Sequence, residues 1–306
     1  MDISIIIVNW NTKKLLLDCL ASIFSTIKGV SYEVILVDNA SSDGSVEAVR
    51  KAYPQVEIIQ NEENLGFATA NNKGFHKMLG RYALLLNTDT VLTEDAIEKL
   101  FFYMENNPEA GMACGQLLNR DGTKQNSIAN FPSLIGLVFN ETLLRIFLPK
   151  RYPSKRVEYF NPIEVESCIG ACLMVRKQAM DDVGLLDERY FFFLEETDWA
   201  LRMERAGWKS CFIPNARIYH LQGQSVGHNV KSRVMFYRSR YTYLKKWHRE
   251  WYWLFRLIII TRLSINMALN LVGVFVTLGC STSTRKRFYV YSQLMLWHFR
   301  GCPSEQ

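Results

Sequence analysis

Asn87-Thr88-Asp89 closes the apolar run YALLL (82–86). Asp89 there is a hard oxygen ligand, of the kind that suits a divalent cation carrying a diphosphate. Glu195, Glu196 and Asp198 place three carboxylates within four residues, shortly after Tyr190-Phe191-Phe192-Phe193. Carboxyl groups beside bulky apolar side chains hold their protons to higher pH, which suits a general base near neutrality. His220 follows Glu196 by 24 residues and becomes a metal ligand only if the fold carries it to Asp89. Taken singly, each has a plainer reading. Asp89 could cap the next helix, the acids at 195–198 could complement a helix dipole, and His220 could be structural.

The elements that would position these groups follow from the apolar patterning. Ile3 to Val8 is an Ile-rich run of the kind that forms a strand buried on both faces. Tyr32 to Val37, Val56 to Gln60 and Tyr82 to Leu86 read the same way. The segments Lys13 to Ile27, Ser45 to Ala52 and Phe67 to Leu79 read as helices between them. A further helix is expected from Thr93, capped by Thr93 with Glu94 or Asp95. Strand and helix alternating at this spacing imply an α/β fold, a parallel sheet flanked by helices. In such sheets ligands sit beyond the carboxyl ends of the strands. The polar residues there are Asn9, Asp38, Asn61 to Asn64 and Asn87 to Asp89, so they should share one rim. Further on, Glu166 to Arg176 reads as a strand, Glu195 to Ala206 as a helix, Lys209 to Ile213 as a strand, and Lys231 to His248 as a helix. Residues 120–165 hold four of the eight prolines and are taken as an acceptor-side excursion.

Composition narrows the class. The chain is 48% hydrophobic and 22% charged, with no repeat and no low-complexity tract. It contains neither GxGxxG nor GxxxxGK[ST], which argues against dinucleotide oxidoreductases and P-loop ATPases. The seven cysteines form no CxxC pair and are expected to be reduced thiols of a cytosolic compartment. No basic region precedes the first apolar run, so no secretory signal is expected. The net charge of +6 is unevenly placed. From Lys231 onward thirteen Lys and Arg face only Glu250 and Glu305, a net of +11, which leaves the first 230 residues at −5. This tail also carries Trp247, Trp251, Trp253 and a stretch of 22 uncharged residues, Leu263 to Thr284. Aromatic, basic and apolar residues together fit a membrane interface with anionic lipid. Polar residues within the stretch favour an interfacial or re-entrant anchor over a true span or a soluble helix pair.

Seven ordered segments resemble the motifs of family-2 glycosyltransferases, and within them the bacterial rhamnosyltransferase-like branch. They are VNWN (8–11), VDNASSDGS (37–45), NLGFATANN (64–72), LLLNTDT (84–90), GACLMVR (170–176), GLLDERYFFFLEETDWALRMERAGWK (184–209) and YHLQGQS (219–225). The resemblance spans roughly residues 3 to 245. It implies a GT-A fold with a mixed sheet over residues 1–230, a nucleotide-diphosphate sugar donor, a Mg²⁺ or Mn²⁺ ion, and inversion at the anomeric carbon. Asp38 matches the carboxylate that contacts the base, and Asn9 the first nucleotide-binding loop. Asn39, Asn64, Gly66, Asn71 and Asn87 are further donor-binding candidates within the matched segments. Asp89 matches the last acid of the DxD metal motif, His220 a histidine that helps hold the metal, and Glu196 the base. Two departures stand out. Asn87 replaces the first acid of DxD, and Glu195-Glu196 replaces the usual Glu-Asp pair, so Glu195 or Asp198 could share the base's role.

The expected donor is dTDP-rhamnose, with UDP-sugars open. The expected acceptor is a glycan or a polyprenyl-diphosphate-linked sugar, met at the cytoplasmic face of the inner membrane by a peripheral enzyme whose residues 231–306 form a helical, membrane-associating extension. A family member without the QxxRW motif of the processive synthases is expected to add a single sugar. Oligomerisation stays open. Nucleic acid is not an expected partner, because the tail's charges are embedded among Leu, Ile and Val. A nucleotidyltransferase would need a glycine-rich phosphate loop that VNWNTKK does not supply. A non-catalytic membrane-associated binding protein would have little use for Asp89, Glu196 and His220 together.

Overall fold

The computed structural model describes residues 1–139, 141–149, 151–153, 157–221 and 229–302. Gln222 to Ser225 of the last matched motif therefore lie outside the described residues. In chain order the elements run β1 (Ile3–Asn9), α1 (Lys13–Thr26), β2 (Tyr32–Asp38), α2 (Ser45–Ala52), β3 (Glu57–Gln60), α3 (Phe67–Phe75), β4 (Tyr82–Leu86), β5 (Thr90–Leu92) and α4 (Ala96–Asn106). They continue with β6 (Ala110–Leu118), β7 (Ile128–Ala129), α5 (Leu134–Val138), α6 (Glu141–Phe147), β8 (Ile163–Val165), β9 (Ser167–Cys168), β10 (Cys172–Arg176), α7 (Lys177–Val183) and α8 (Glu195–Arg205). Last come β11 (Lys209–His220), α9 (Val230–Trp247), α10 (Tyr252–Val276) and α11 (Thr282–Phe299).

The chain divides into two compact units, Met1–Phe131 with Arg145–Ser225, and Pro132–Leu144 with Val226–Gln306. The first is built on one sheet in the order β3-β2-β1-β4-β10-β6-β11-β5, with β8 added on β11. β3, β2, β1 and β4 run parallel, and β10 enters antiparallel between β4 and β6. The fold is a mixed α/β sheet flanked by helices. β1 reads as a continuous apolar run because both its faces are covered. Ile3, Ile5 and Ile7 pack with Leu16, Leu20 and Ile23 of α1, while Ile6 joins Ala70, Phe75 and Trp199.

Four boundaries differ from expectation. α3 stops at Phe75 instead of Leu79, because the Leu79 and Gly80 amides donate to Glu33 Oε1 (2.7 Å) and Ser4 Oγ (2.8 Å) and turn the chain into β4. The helix expected from Thr93 begins at Ala96. Residues 90–92 pair instead with β11, and Thr93 Oγ1 donates to the Arg217 carbonyl at 2.6 Å rather than capping α4. The strand expected over 166–176 is split at Ile169–Ala171, β9 pairing with β7 and β10 with the main sheet. The strand expected over Lys209 to Ile213 runs on to His220 as β11, carrying an irregularity between Ile213 and Arg217.

The helical unit holds α5 and the antiparallel pair α10–α11, with α9 beside them. The α10–α11 register is marked by Ser264 Oγ near Met295 Sδ at 3.8 Å and by Gly273 against Thr284. By length and composition the helical stretch Arg249–Val276 could cross a membrane, and little of it is buried within the protein.

Candidate active site

The rim gathers where the parallel strands end. Asn9 ends β1 and is fully buried. Its Nδ2 donates to Asp38 Oδ1 (2.8 Å), Ser41 Oγ (3.0 Å) and Ser45 Oγ (2.9 Å), and its Oδ1 accepts from Thr12 Oγ1 (2.7 Å). Asp38 Oδ2 in turn accepts the Ser41 amide at 2.8 Å. Thr12 Oγ1 also lies 2.9 Å from Thr88 Oγ1, tying the β1 loop to the segment before Asp89. Asn39 is a second clamp. Its amide donates to Asn64 Oδ1 and the Gly66 carbonyl and accepts from Asn61 Nδ2 at 2.8 Å. Asn71 is buried on α3, its Nδ2 donating to the Phe67 carbonyl (2.9 Å) and its Oδ1 without a hydrogen-bond partner among the described residues. Thus Asn9, Asp38 and Asn39 brace the rim by bonding one another, whereas Asn64 and Asn87 are partly exposed on it. Trp10, beside Asn9, is 51% exposed.

Asp89 and His220 do meet. His220 ends β11, and its Nε2 lies 3.4 Å from Asp89 Oδ1, while the Leu221 amide donates to the Asp89 carbonyl at 2.8 Å. Gln125 fixes the imidazole. Its Nε2 donates to the His220 carbonyl (2.5 Å), so its Oε1 is the acceptor that lies 2.9 Å from His220 Nδ1. Nδ1 therefore carries a proton and Nε2 is the ring nitrogen that faces Asp89; with the ring neutral, this is the arrangement a metal ligand requires. A neutral imidazole nitrogen and a carboxylate oxygen fit a divalent cation that completes its shell with diphosphate oxygens and water. Among the described residues no group of three or more His, Cys, Asp or Glu side chains could hold a metal alone. Beside this pair a cavity of about 800 Å³ is lined by Thr12, Lys13, Lys14, Arg120, Gln125 and His220, among others.

The acidic helix reaches the same rim from the other side. Asn87 donates its amide to the Ala171 carbonyl at 2.9 Å, and a methyl group on Gly170 would lie 3.7 Å from Glu196 Cγ. On the opposite flank the Phe67 amide donates to the Phe191 carbonyl (2.7 Å), and Gly66 sits so close to Phe191 that a Cβ would fall 2.5 Å from that carbonyl. Gly66 has φ +82°, so glycine is required there on both counts. Phe193 and Leu194, immediately before α8, are both left-handed (φ 72° and 67°). Two bulky residues in that region store strain where the chain turns Glu195 and Glu196 inward.

The three acids differ. Asp198 is fully buried and bonded on both oxygens, to Tyr190 OH (3.3 Å) and Arg202 Nε (3.1 Å). Arg202 also donates to the carbonyls of Val183 and Leu185, each at 2.6 Å. Asp198 thus anchors the loop that leads to α8. Glu195 is buried and its Oε2 has no hydrogen-bond partner among the described residues; burial first, then the Glu196 charge, pushes its carboxyl well above the usual range. Glu196 is partly exposed, and burial raises its pKa to about 7. The sequence pattern did not single out Thr12, Gln125 or Arg202. Only Arg202 carried a local signal, its spacing of four residues from Asp198 on a helix.

Residues 4–184 match the family described as Glycosyl transferase family 2. The N-acetylglucosaminyl-diphospho-decaprenol L-rhamnosyltransferase of Mycobacterium tuberculosis is 30% identical over 237 residues, covering 72% of this chain and 76% of that protein. The low-salt glycan biosynthesis hexosyltransferase Agl10 of Haloferax volcanii is 26% identical over 209 residues, covering 67% and 62%. In fold alone, the chain resembles GalNAc-T7, whose crystal structure holds UDP, GalNAc and Mn²⁺, with a TM-score of 0.55 at 16% identity over 72% of this chain and 44% of that one. A GT-A sheet, the motifs carried on its rim and the match over residues 4–184 together make this chain a member of the family-2 glycosyltransferases.

Proposed function

We propose that the enzyme transfers one sugar, rhamnose by preference, from a nucleotide-diphosphate donor to a polyprenyl-diphosphate-linked or other cell-envelope glycan, with inversion. The observation that carries this reading is Glu196: a partly exposed carboxylate with a pKa raised to about 7, joined through Gly170 and Ala171 to the Asp89–His220 pair. Glu196 takes the proton of an acceptor hydroxyl as that oxygen bonds to C1 of the sugar. The bond from C1 to the diphosphate oxygen breaks on the opposite face, and the nucleoside diphosphate leaves. One displacement requires no covalent enzyme intermediate, so the buried cysteines have no part in it. Asp89 and His220 would hold Mg²⁺ or Mn²⁺, which when bound supplies Lewis-acid neutralisation of the leaving diphosphate. The exposed indole of Trp10 offers a flat apolar face to a nucleobase. Supporting a lipid-linked acceptor are the acceptor in the name of the mycobacterial relative and the apolar, basic tail, read here as a peripheral anchor at the cytoplasmic face of the membrane.

The first test is thermal unfolding with Mn²⁺ and a panel of nucleotide diphosphates. A ligand at 100 times its Kd stabilises by ~2.7 kcal/mol, which for a domain of this size is a rise of about 5–10 °C. A metal-dependent rise with dTDP or UDP supports the reading and identifies the donor class; no rise with any nucleotide in a folded sample removes it. In the same assay Gln125→Leu should raise the Mn²⁺ concentration needed for half the shift by about 10–100-fold, since it frees the imidazole to turn. An unchanged Mn²⁺ requirement would take His220 out of the metal site.

A further inference from the structure

A second cavity, of about 900 Å³, opens within the helical unit. Its walls include Leu137 and Phe139 at the end of α5, and Leu257 and Ile258 on α10. Its charged lining is Arg240 from α9 and Arg262 from α10. Leu137 is buried, while Phe139 and Leu257 remain about half exposed at 53% and 54%. The volume lies within the ~300–1,000 Å³ usual for small-molecule sites.

Neither arginine forms an ion pair among the described residues, and no Asp or Glu occurs between residues 229 and 249 or between 251 and 302. Arg262 is oriented by donating to the Leu137 carbonyl, and the Arg240 guanidinium sits 5.7 Å from the Phe236 ring centre. Burial, and to a lesser extent the Arg262 charge, holds Arg240 below its ordinary pKa, against the opposing influence of Tyr237. Two like charges at an apolar cleft are costly without a counter-ion. A guanidinium pair matches phosphate oxygens in bidentate geometry. An inorganic anion alone would leave the Leu, Ile and Phe walls unfilled, so the fitting ligand is an apolar chain that ends in phosphate. A second copy of this chain is disfavoured, because the surrounding helices carry cations and almost no acids.

We propose that this cleft seats the prenyl diphosphate of the acceptor, its hydrocarbon against Leu137, Phe139, Leu257 and Ile258 and its diphosphate on Arg240 and Arg262. The assignment rests on the lipid-linked acceptor proposed above. A bilayer phospholipid shares the chemistry, and the test separates the two.

The experiment is calorimetric titration of the full-length protein with farnesyl diphosphate, beside farnesol, inorganic pyrophosphate and dihexanoyl phosphatidylglycerol. Farnesyl diphosphate should bind, with the other three at least about tenfold weaker, since each lacks the paired chemistry or the second phosphate. Arg240→Gln and Arg262→Gln should each weaken it about tenfold or more, as loss of a charge-assisted contact does. Arg240→Lys and Arg262→Lys keep the charge without the fork and should fall between. The thermal shift given by nucleotide diphosphate should be unchanged in all four variants, which also reports that they fold. Wild-type affinity in the Gln variants, absence of farnesyl diphosphate binding, or tighter binding of phosphatidylglycerol would each overturn the assignment. Loss of the nucleotide shift in wild-type protein that still binds farnesyl diphosphate would instead remove the donor reading and leave this site standing.

Discussion

Glu196→Gln is expected to lower the transfer rate by about 10²–10⁴-fold while leaving nucleotide-diphosphate binding at its wild-type strength. The substitution keeps the shape of the side chain and removes only its ability to accept the acceptor's proton. The wild-type rate should rise with pH through about 7, where Glu196 ionises, and fall tenfold per unit well below it. Burial, and then the neighbouring Glu196 charge, push the Glu195 carboxyl well above its ordinary range and favour its neutral form. Two carboxyls pushed to different pKa values divide the work in this way in acid–base sites generally. Steady-state kinetics with a donor binding assay in parallel decides the matter. Full activity in Glu196→Gln would move the base to Glu195.

The same group sets a stability cost with a definite sign. Between pH 4.5 and about 7 the unfolded chain has Glu196 ionised while the folded chain keeps its proton. The folded form then binds more protons, so stability declines as pH rises across that window. Glu196→Gln removes the penalty. It should unfold on the order of 1–3 kcal/mol later than wild type at pH 8 and equally below pH 4. A variant that is more stable and inactive at pH 8 is the signature of a carboxylate held against its solvation preference for catalysis.

Much of this was legible in the residues. β1, β2 and β4 lie between helices on both faces, so apolar continuity alone marks them, and their last residues fall on one rim by topology. β6, Ala110–Leu118, was not legible. Five of its residues AGMACGQLL are Ala, Gly or Cys and none is β-branched, and it is a strand because β10 and β11 pair on either side of it. Gly115 marks the β11 irregularity, since a Cβ there would fall 2.3 Å from the Ala216 carbonyl, but a glycine alone does not say so. Gln125 sits in a segment without periodicity, 95 residues from the imidazole it orients, and only the fold brings them together. The left-handed Phe193 and Leu194 are hidden for the opposite reason, since bulky residues normally avoid that conformation. Asp198 shows the limit of spacing as evidence. Three acids in one helical turn look equivalent in the sequence, and their surroundings make one a buried anchor, one a buried carboxyl pushed toward its neutral form and one a partly exposed carboxyl with a raised pKa.

Asp198→Ala is accordingly expected to act on the fold before it acts on the chemistry. It leaves Arg202 without the Asp198 carboxylate while the guanidinium still holds the carbonyls of Val183 and Leu185, and it removes a hydrogen bond of Tyr190 OH. Breaking a buried pair by deleting one member costs about 3–5 kcal/mol, here a fall in Tm on the order of 10 °C. Asp198→Asn, which keeps the volume, should lose less. The loop from Gly184 to Leu194 is tethered by Arg202 at its start and by Gly66 against Phe191 further along, and it ends in the strained pair that turns Glu195 and Glu196 inward. Loosening its start should therefore lower kcat without changing the pH at which the rate rises, because Glu196 keeps its own surroundings. Removing the base, by contrast, abolishes that rise. Denaturation midpoints measured beside pH–rate profiles separate the two roles. A stable Asp198→Ala protein that had lost the rising limb would show that Asp198, not Glu196, receives the acceptor's proton.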